Sequence, residues 1–377
     1  MKRWVMPLTI LGLALGIALP AISQGASLAL WEMPYPDMFP AGLAVDVNGM
    51  VYVATAGSMA VYRLDPATDT LRSWGVGNGP EGVIFADGAF YCSVSDDNLL
   101  VYAHPDGLAT NSVRLPAPDL GVTELHRGAN TADGKLVFWM AEREATGVLR
   151  YLFDTAHAAT ASGSPTDQPA TKTVQALTAA VVTTTHETFA YDTSLMPAPY
   201  ALQPSHTSTD FTEWRLPLQD FLVEDIAVAA DGKVWISAGL PSIFLLDPAT
   251  NMIREMETIQ NVRIFQGLLP DPDGSIWFGN IIEGAVGHFH PGTGLSETWR
   301  IPGTGEVYDL VFDGQGRIWY TDRTGDAIGR LDTATGEALV YSLPSGSEPL
   351  YLELDGKGNV WFTLGSGNAI GRLSIGN

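Results

Sequence analysis

With 42 acidic against 20 basic side chains and a net charge of −22, this 377-residue chain repels nucleic acid and anionic membrane surfaces, and neither is expected as a partner. Its one cysteine, Cys92, excludes an intramolecular disulfide. A large apolar core must stabilise the fold instead, which 46% hydrophobic residues allow and which 40 Gly and 24 Pro must interrupt with many turns.

The chain opens Met1-Lys2-Arg3, runs apolar from Trp4 to about Leu19 and reaches small residues at Ala21 to Ala26. That order predicts a secretory signal peptide over residues 1–25, hence a secreted or periplasmic protein, with a retained anchor as the alternative. No cysteine stands near the cleavage region, so no lipid anchor is expected. Loss of Lys2 and Arg3 leaves the mature chain still more acidic.

From Leu28 onward, short β-branched and aromatic runs recur, each with a turn glycine: Gly49, Gly88, Gly134, Gly232, Gly274, Gly316 and Gly358. The last three intervals are 42 residues and the first two are 39 and 46; only the step from Gly134 to Gly232 is longer, by about 56 residues. Each unit reads as four strands, a to d. Asp-Gly or a similar turn separates a from b, as in Asp231-Gly232-Lys233-Val234-Trp235. Strand c follows, as in Ala327-Ile328-Gly329-Arg330-Leu331, and then a turn in which Asp bonds its own backbone, as in Asp65-Pro66-Ala67-Thr68. Strand d closes on a proline expected at a free outer edge, as in Val113-Arg114-Leu115-Pro116 and Trp299-Arg300-Ile301-Pro302.

The last unit stops after its strand c, while Leu28-Ala29-Leu30-Trp31-Glu32-Met33-Pro34 carries the strand d pattern ahead of the first strand a. Pairing the two predicts an all-β, seven-bladed β-propeller over residues 28–377, its ring closed by the N-terminal strand. The extra residues, about 154–210, fall between strands c and d of the third blade. Their Ala, Thr, Ser and Pro suggest a mobile surface loop with a small hairpin around Val174 to Tyr191, or a docking arm for a protein partner. They are expected on the face opposite the site considered next.

Strand a of each blade lines the central channel, and its start lies beside the end of strand b. One mouth should therefore gather Glu81, Glu124, His126, Arg127, Glu142, Glu224, Asp225, Gln266, Asn280, Glu306, Tyr308, Asp322, Arg323 and Glu348. So many carboxylates around one axis need protons, arginines or a cation between them.

The run Gln315-Gly316-Arg317-Ile318-Trp319-Tyr320-Thr321-Asp322 with Ala327-Ile328-Gly329-Arg330-Leu331-Asp332, echoed by Lys357-Gly358-Asn359-Val360-Trp361-Phe362-Thr363 with Asn368-Ala369-Ile370-Gly371-Arg372, resembles the streptogramin B (virginiamycin B) lyase family. That resemblance implies a lyase that opens a cyclic peptide lactone by elimination, with Mg²⁺ at the channel mouth, or Ca²⁺ in its place, and histidine as acid or base. Carried over to blade six, the family motif puts its acids on Glu306 and Asp322, the implied metal ligands, and its two histidines on Tyr308 and Gln266. Loss of both imidazoles removes proton-transfer groups worth roughly 10²- to 10⁴-fold in rate. A second constellation, Glu124-Leu125-His126 with Glu142, keeps the Glu and His two apart. The candidate catalytic set is therefore Glu306, Tyr308, Asp322, Glu124, His126 and Glu142.

His288-Phe289-His290 places two imidazoles on one face of a strand, but His288 takes the place of Arg330 away from the channel, and a structural role is expected. The recurring Trp235, Trp277, Trp319 and Trp361 are expected to pack between blades. No serine-hydrolase elbow, phosphate loop or zinc spacing is present. Two functions stay open: a cation-dependent carbon–oxygen lyase, and a non-catalytic, monomeric extracytoplasmic propeller that binds a small molecule, peptide or protein.

Overall fold

The computed structural model describes residues 25–375 apart from 108, 116–120, 143–145, 155–158, 161–164, 219–221, 241 and 258–264. The signal peptide read over 1–25 thus lies outside the described residues up to its last position, as do His157 and Pro116. Among the described residues no helix is long and apolar enough to cross a membrane.

Seven antiparallel sheets are arranged as a β-propeller. In blade six, strands a to d are Val307–Phe312, Arg317–Asp322, Ala327–Asp332 and Glu337–Ser342. The ring closes as the repeat demands: Gly25–Glu32 pairs as strand d with Ala369–Ile375, in register from Ala26↔Ile375 to Glu32↔Ala369. Seven apolar clusters hold the blades together, one at each junction. Ala29, Trp31 and Ile370 of the last blade meet Val51, Val53 and Leu64 of the first in one of them, so no junction is left open.

The repeat motif has a direct packing cause. Strand b presents a Trp that pairs across the ladder with the strand c Arg, as Trp319 does with Arg330 and Trp361 with Arg372. Each guanidinium lies over its indole, 5.4 and 5.3 Å from the ring centroid. The glycine before the Arg leaves room for the next strand b ring, since a Cβ on Gly329 would collide with Tyr320 and one on Gly371 with Phe362.

The described residues between 154 and 210 lie as strands along the blades rather than as a free surface loop, and Val174 to Tyr191 is not a hairpin. The segment runs once round the outside of the propeller and adds a fifth strand to every blade. It visits blade two at Ala159–Thr160, one at Thr166–Pro169, seven at Lys172–Thr178, six at Ala180–Thr183, five at Thr185–Ala190, four at Tyr200–Ala201 and three at His206–Thr207. Sheet twist makes this circuit feasible. At about 20–25° per strand, four steps from the channel turn the outermost strand by roughly 80–100°, so it lies along the circumference and one extended segment can pass from blade to blade. The strand d edges are consequently paired rather than free, and Pro217, Pro302 and Pro344 stand beyond the ends of their strands.

Candidate functional site

In six of the seven strands a, among the described residues, a register shift interrupts the pairing with strand b near its start, for instance between Val122 and Leu125 and between Val307 and Leu310. Such a bulge re-aims the side chain it carries. In blades one to seven the equivalent position is Gly42, Gly82, Glu124, Asp225, Gly267, Asp309 and Tyr351. The inner ring therefore holds three carboxylates and one phenol. The three glycines stand where the backbone of the next blade comes too close to admit a side chain.

Two of these carboxylates link neighbouring blades. Asp225 accepts the Leu268 N–H at 2.8 Å, and Asp309 accepts the N–H groups of Leu310 at 2.8 Å and Leu352 at 2.9 Å. Glu353 does the same further along strand a, taking the Val45 N–H at 2.7 Å. Burial pushes Asp309 and Glu353 up to about 7. Burial, and then the nearby Glu124 charge, raises Asp225 well above the usual carboxylate range.

Glu124 stands apart because it is bound from across the channel: Tyr351 of blade seven donates its hydroxyl to Glu124 Oε1 at 2.9 Å. The Tyr308 ring meets Tyr351 edge to face with centroids 5.7 Å apart, and Arg323 lies over the Tyr308 ring. Burial raises both phenols, so each stays protonated as a hydrogen-bond donor. His126 Nε2 lies 4.0 Å from Glu124 Oε2, is buried and has no hydrogen-bond partner. About a third of the side chain, 32%, opens to the lumen, yet protein surrounds it closely enough that burial pushes the imidazole down to about 4. It is neutral at physiological pH. Ligating atoms of Glu124, His126 and Asp225 all fall within 4.8 Å of one another.

The blade-six residues are arranged differently. Asp322 Oδ1 accepts the backbone N–H groups of Gly305, Glu306 and Gly325 at 3.0–3.2 Å, and its side chain packs against Gly325. Glu306 faces Arg323 at 3.8 Å, whose guanidinium is held more closely by Glu348 at 2.6 Å. Gln266 reaches the Glu224 carbonyl at 3.5 Å. Glu142 is buried within blade three, away from the Glu124 and His126 pair. Burial and neighbouring Glu213, which is paired with Arg215, push it up to about 8. The structure thus gathers Glu124 and His126 with Asp225, Tyr308 and Tyr351. Tyr351, Asp309 and Glu353 escaped the sequence reading because they lie past the start of strand a, where only the bulge turns them inward. For Tyr351 and Asp309 the signal was the repeat position itself, which holds either glycine or a polar side chain.

The donor set of Glu124, His126 and Asp225 suits a divalent cation. The Glu124 and Asp225 carboxyl groups stand close together, and the His126 nitrogen is otherwise unsatisfied. One nitrogen among the donors fits Mg²⁺ less closely than an all-oxygen set would.

Residues 209–377, from strand d of blade three to the end, match the model of the virginiamycin B lyase family. No curated protein sequence matches. Among solved structures, a streptogramin B lyase is 17% identical with a TM-score of 0.68, covering 93% of this chain and 98% of that one. Virginiamycin B lyase from Staphylococcus aureus is 16% identical with a TM-score of 0.68, over 93% and 100%. A catalytically inactive histidine-to-alanine variant of the latter enzyme with quinupristin is 15% identical with a TM-score of 0.67, over 92% and 99%. The chain is thus a seven-bladed β-propeller of the same fold as these lyases, with similarity to the virginiamycin B lyase family in its last four blades.

Proposed function

We propose that this protein is a carbon–oxygen lyase acting on a cyclic peptide lactone or related ester, with its acid–base centre moved from blade six to Glu124 and His126. The observation that carries the proposal is the neutral, unpartnered His126 nitrogen inside the channel, beside a carboxylate that a phenol holds from the opposite wall. Elimination needs a base to take a proton next to a carbonyl and a donor for the developing charge. His126 Nε2 supplies the base, Glu124, held by the Tyr351 hydroxyl, stabilises the imidazolium that forms, and the Tyr308 hydroxyl beside them is the donor. A divalent cation held by the Glu124 and Asp225 carboxylates, with His126 Nε2 left free to act as base, would stabilise negative charge on the substrate carbonyl when bound. The charged and then apolar opening of the chain supports action outside the cytoplasm.

The second reading, a binding propeller without turnover, is favoured by Tyr308 and Gln266 at the family's two histidine positions and by the binding surface that Tyr308, Tyr351 and Arg323 make. Incubation of the purified mature chain with a streptogramin B lactone and Mg²⁺ or Mn²⁺ separates the two. Elimination gives a linear product of unchanged mass, whereas hydrolysis adds one water. The lyase reading expects the former, slowed roughly 10²- to 10⁴-fold in His126→Ala. Saturable binding with no linear product supports the second reading and overturns the first.

A further inference from the structure

Blade five departs from the repeat on its outer part. Where blades one, three, six and seven place Arg63, Arg150, Arg330 and Arg372 against an aromatic ring, blade five has His288, stacked on Trp277 with centroids 3.7 Å apart and an interplanar angle of 6°. Two residues on, His290 shares the same strand face, its ring 4.1 Å from that of His288. Glu297, paired with His288 across the ladder, presents Oε2 to both: 3.7 Å from His288 Nδ1 and 3.9 Å from His290 Nε2. Ligating atoms of the three all lie within 4.8 Å of one another.

The surrounding hydrogen bonds fix how His288 is oriented. Ser275 Oγ gives its single hydrogen to Asp273 Oδ1 at 2.5 Å, because a carboxylate only accepts. Toward His288 Nε2, at 2.7 Å, the hydroxyl can therefore only accept. A ring hydrogen therefore sits on Nε2, which leaves Nδ1 as the ring atom facing the Glu297 carboxylate. A cation between Nδ1 and the carboxylate satisfies both. An outer carboxylate acting through a hydroxyl to set the tautomer is the support that metal-bound histidines ordinarily have. The Glu297 carboxylate is held in turn by the belt: His186 of the encircling strand lies 3.3 Å from Oε1 and stacks on Trp299.

From this geometry we infer that His288 Nδ1, His290 Nε2 and Glu297 Oε2 form a site for a borderline transition metal such as Zn²⁺, Co²⁺ or Ni²⁺. Two imidazoles and one carboxylate make the donor set, which Mg²⁺ and Ca²⁺ disfavour. In tetrahedral zinc, with bonds of about 2.0–2.1 Å, ligand atoms stand about 3.4 Å apart, so the 3.7 and 3.9 Å separations of Glu297 Oε2 from the two imidazoles need close by only a few tenths of an ångström. His290 and Glu297 are 28% and 23% exposed, which gives the ion its way in and leaves one coordination position to solvent. Through Glu297 and His186 the ion would fasten the belt to blade five.

The test titrates the purified mature chain with Co²⁺, reading visible d–d absorption, and measures bound Zn²⁺ per chain after dialysis. One equivalent of Zn²⁺ per chain at blade five, and Co²⁺ absorption that Zn²⁺ but not Mg²⁺ displaces, are expected. His290→Ala, at a partly exposed position, should weaken binding by more than 100-fold, and Ser275→Ala by about 10- to 100-fold. The Co²⁺ absorption that His290→Ala removes should persist in His126→Ala, which separates this site from the channel. Because His288→Ala removes a ring stacked on Trp277, His290→Ala with a melting profile matching the parent is the deciding variant. No Co²⁺ absorption, or absorption that His290→Ala leaves undiminished, overturns the assignment.

Discussion

Glu142 shows how far a single side chain is governed by its surroundings. Its carboxyl is pushed up to about 8 by burial and by Glu213, while in the unfolded chain a glutamate titrates near about 4.3. Between those values the folded protein holds a proton that the unfolded chain has released. Glu142 therefore contributes stability that is complete at acidic pH and disappears as the pH rises through about 8. Buried Asp309 and Glu353, both near 7, act in the same direction. The melting temperature of the parent protein is expected to fall between pH 5 and pH 9, and Glu142→Gln, which keeps the shape and removes the titration, should flatten that fall. Melts across the range check this; parallel curves for parent and variant would show that Glu142 holds no proton at neutral pH.

The belt is the element that most changes the picture of this propeller. It buries few apolar side chains, Ala179 and Leu202 among them, and is joined to the blades chiefly by backbone ladders such as Gly25↔Thr178 through Trp31↔Lys172. The seven junction clusters draw almost wholly on strands a to d, so the propeller should fold without the belt. What the belt removes is an outer edge of unpaired N–H and C=O groups on every blade, the feature by which sheets join edge to edge. Replacing residues 159–207 with a short flexible linker is expected to preserve the far-ultraviolet spectrum and produce concentration-dependent self-association by light scattering. A variant that stays monomeric would show that the strand d edges protect themselves.

Closure of the ring decides the stability of the whole molecule. Trp31 is fully buried, stacks on Trp361 at 5.4 Å, lies under Arg372 and donates its indole N–H to Asp69 at 2.8 Å. It thus ties the N-terminal strand to the last blade and to the first. Trp31→Ala should cost about 3–5 kcal/mol, more than a surface substitution by an order of magnitude. Denaturant unfolding measures it. A loss below about 1 kcal/mol would mean that the ring does not depend on this strand.

Much of the architecture was legible without coordinates because it repeats. A 42-residue period, Asp-Gly turns and alternating aromatic residues record local backbone demands, and local demands are written where they act. Strand count, the split last blade and the Trp and Arg pairs follow from them, as does an acidic channel lined by strand a. The belt was not legible, because polar Thr- and Ala-rich strands gain their partners only from edges that a finished propeller presents. Nor was the bond between Glu124 and Tyr351, or the grouping of His186 with Glu297, since each joins residues more than 100 positions apart. Periodicity carries what a residue owes to its own blade; only the closed ring decides which blades face each other across the channel and which strands lie against the outer wall.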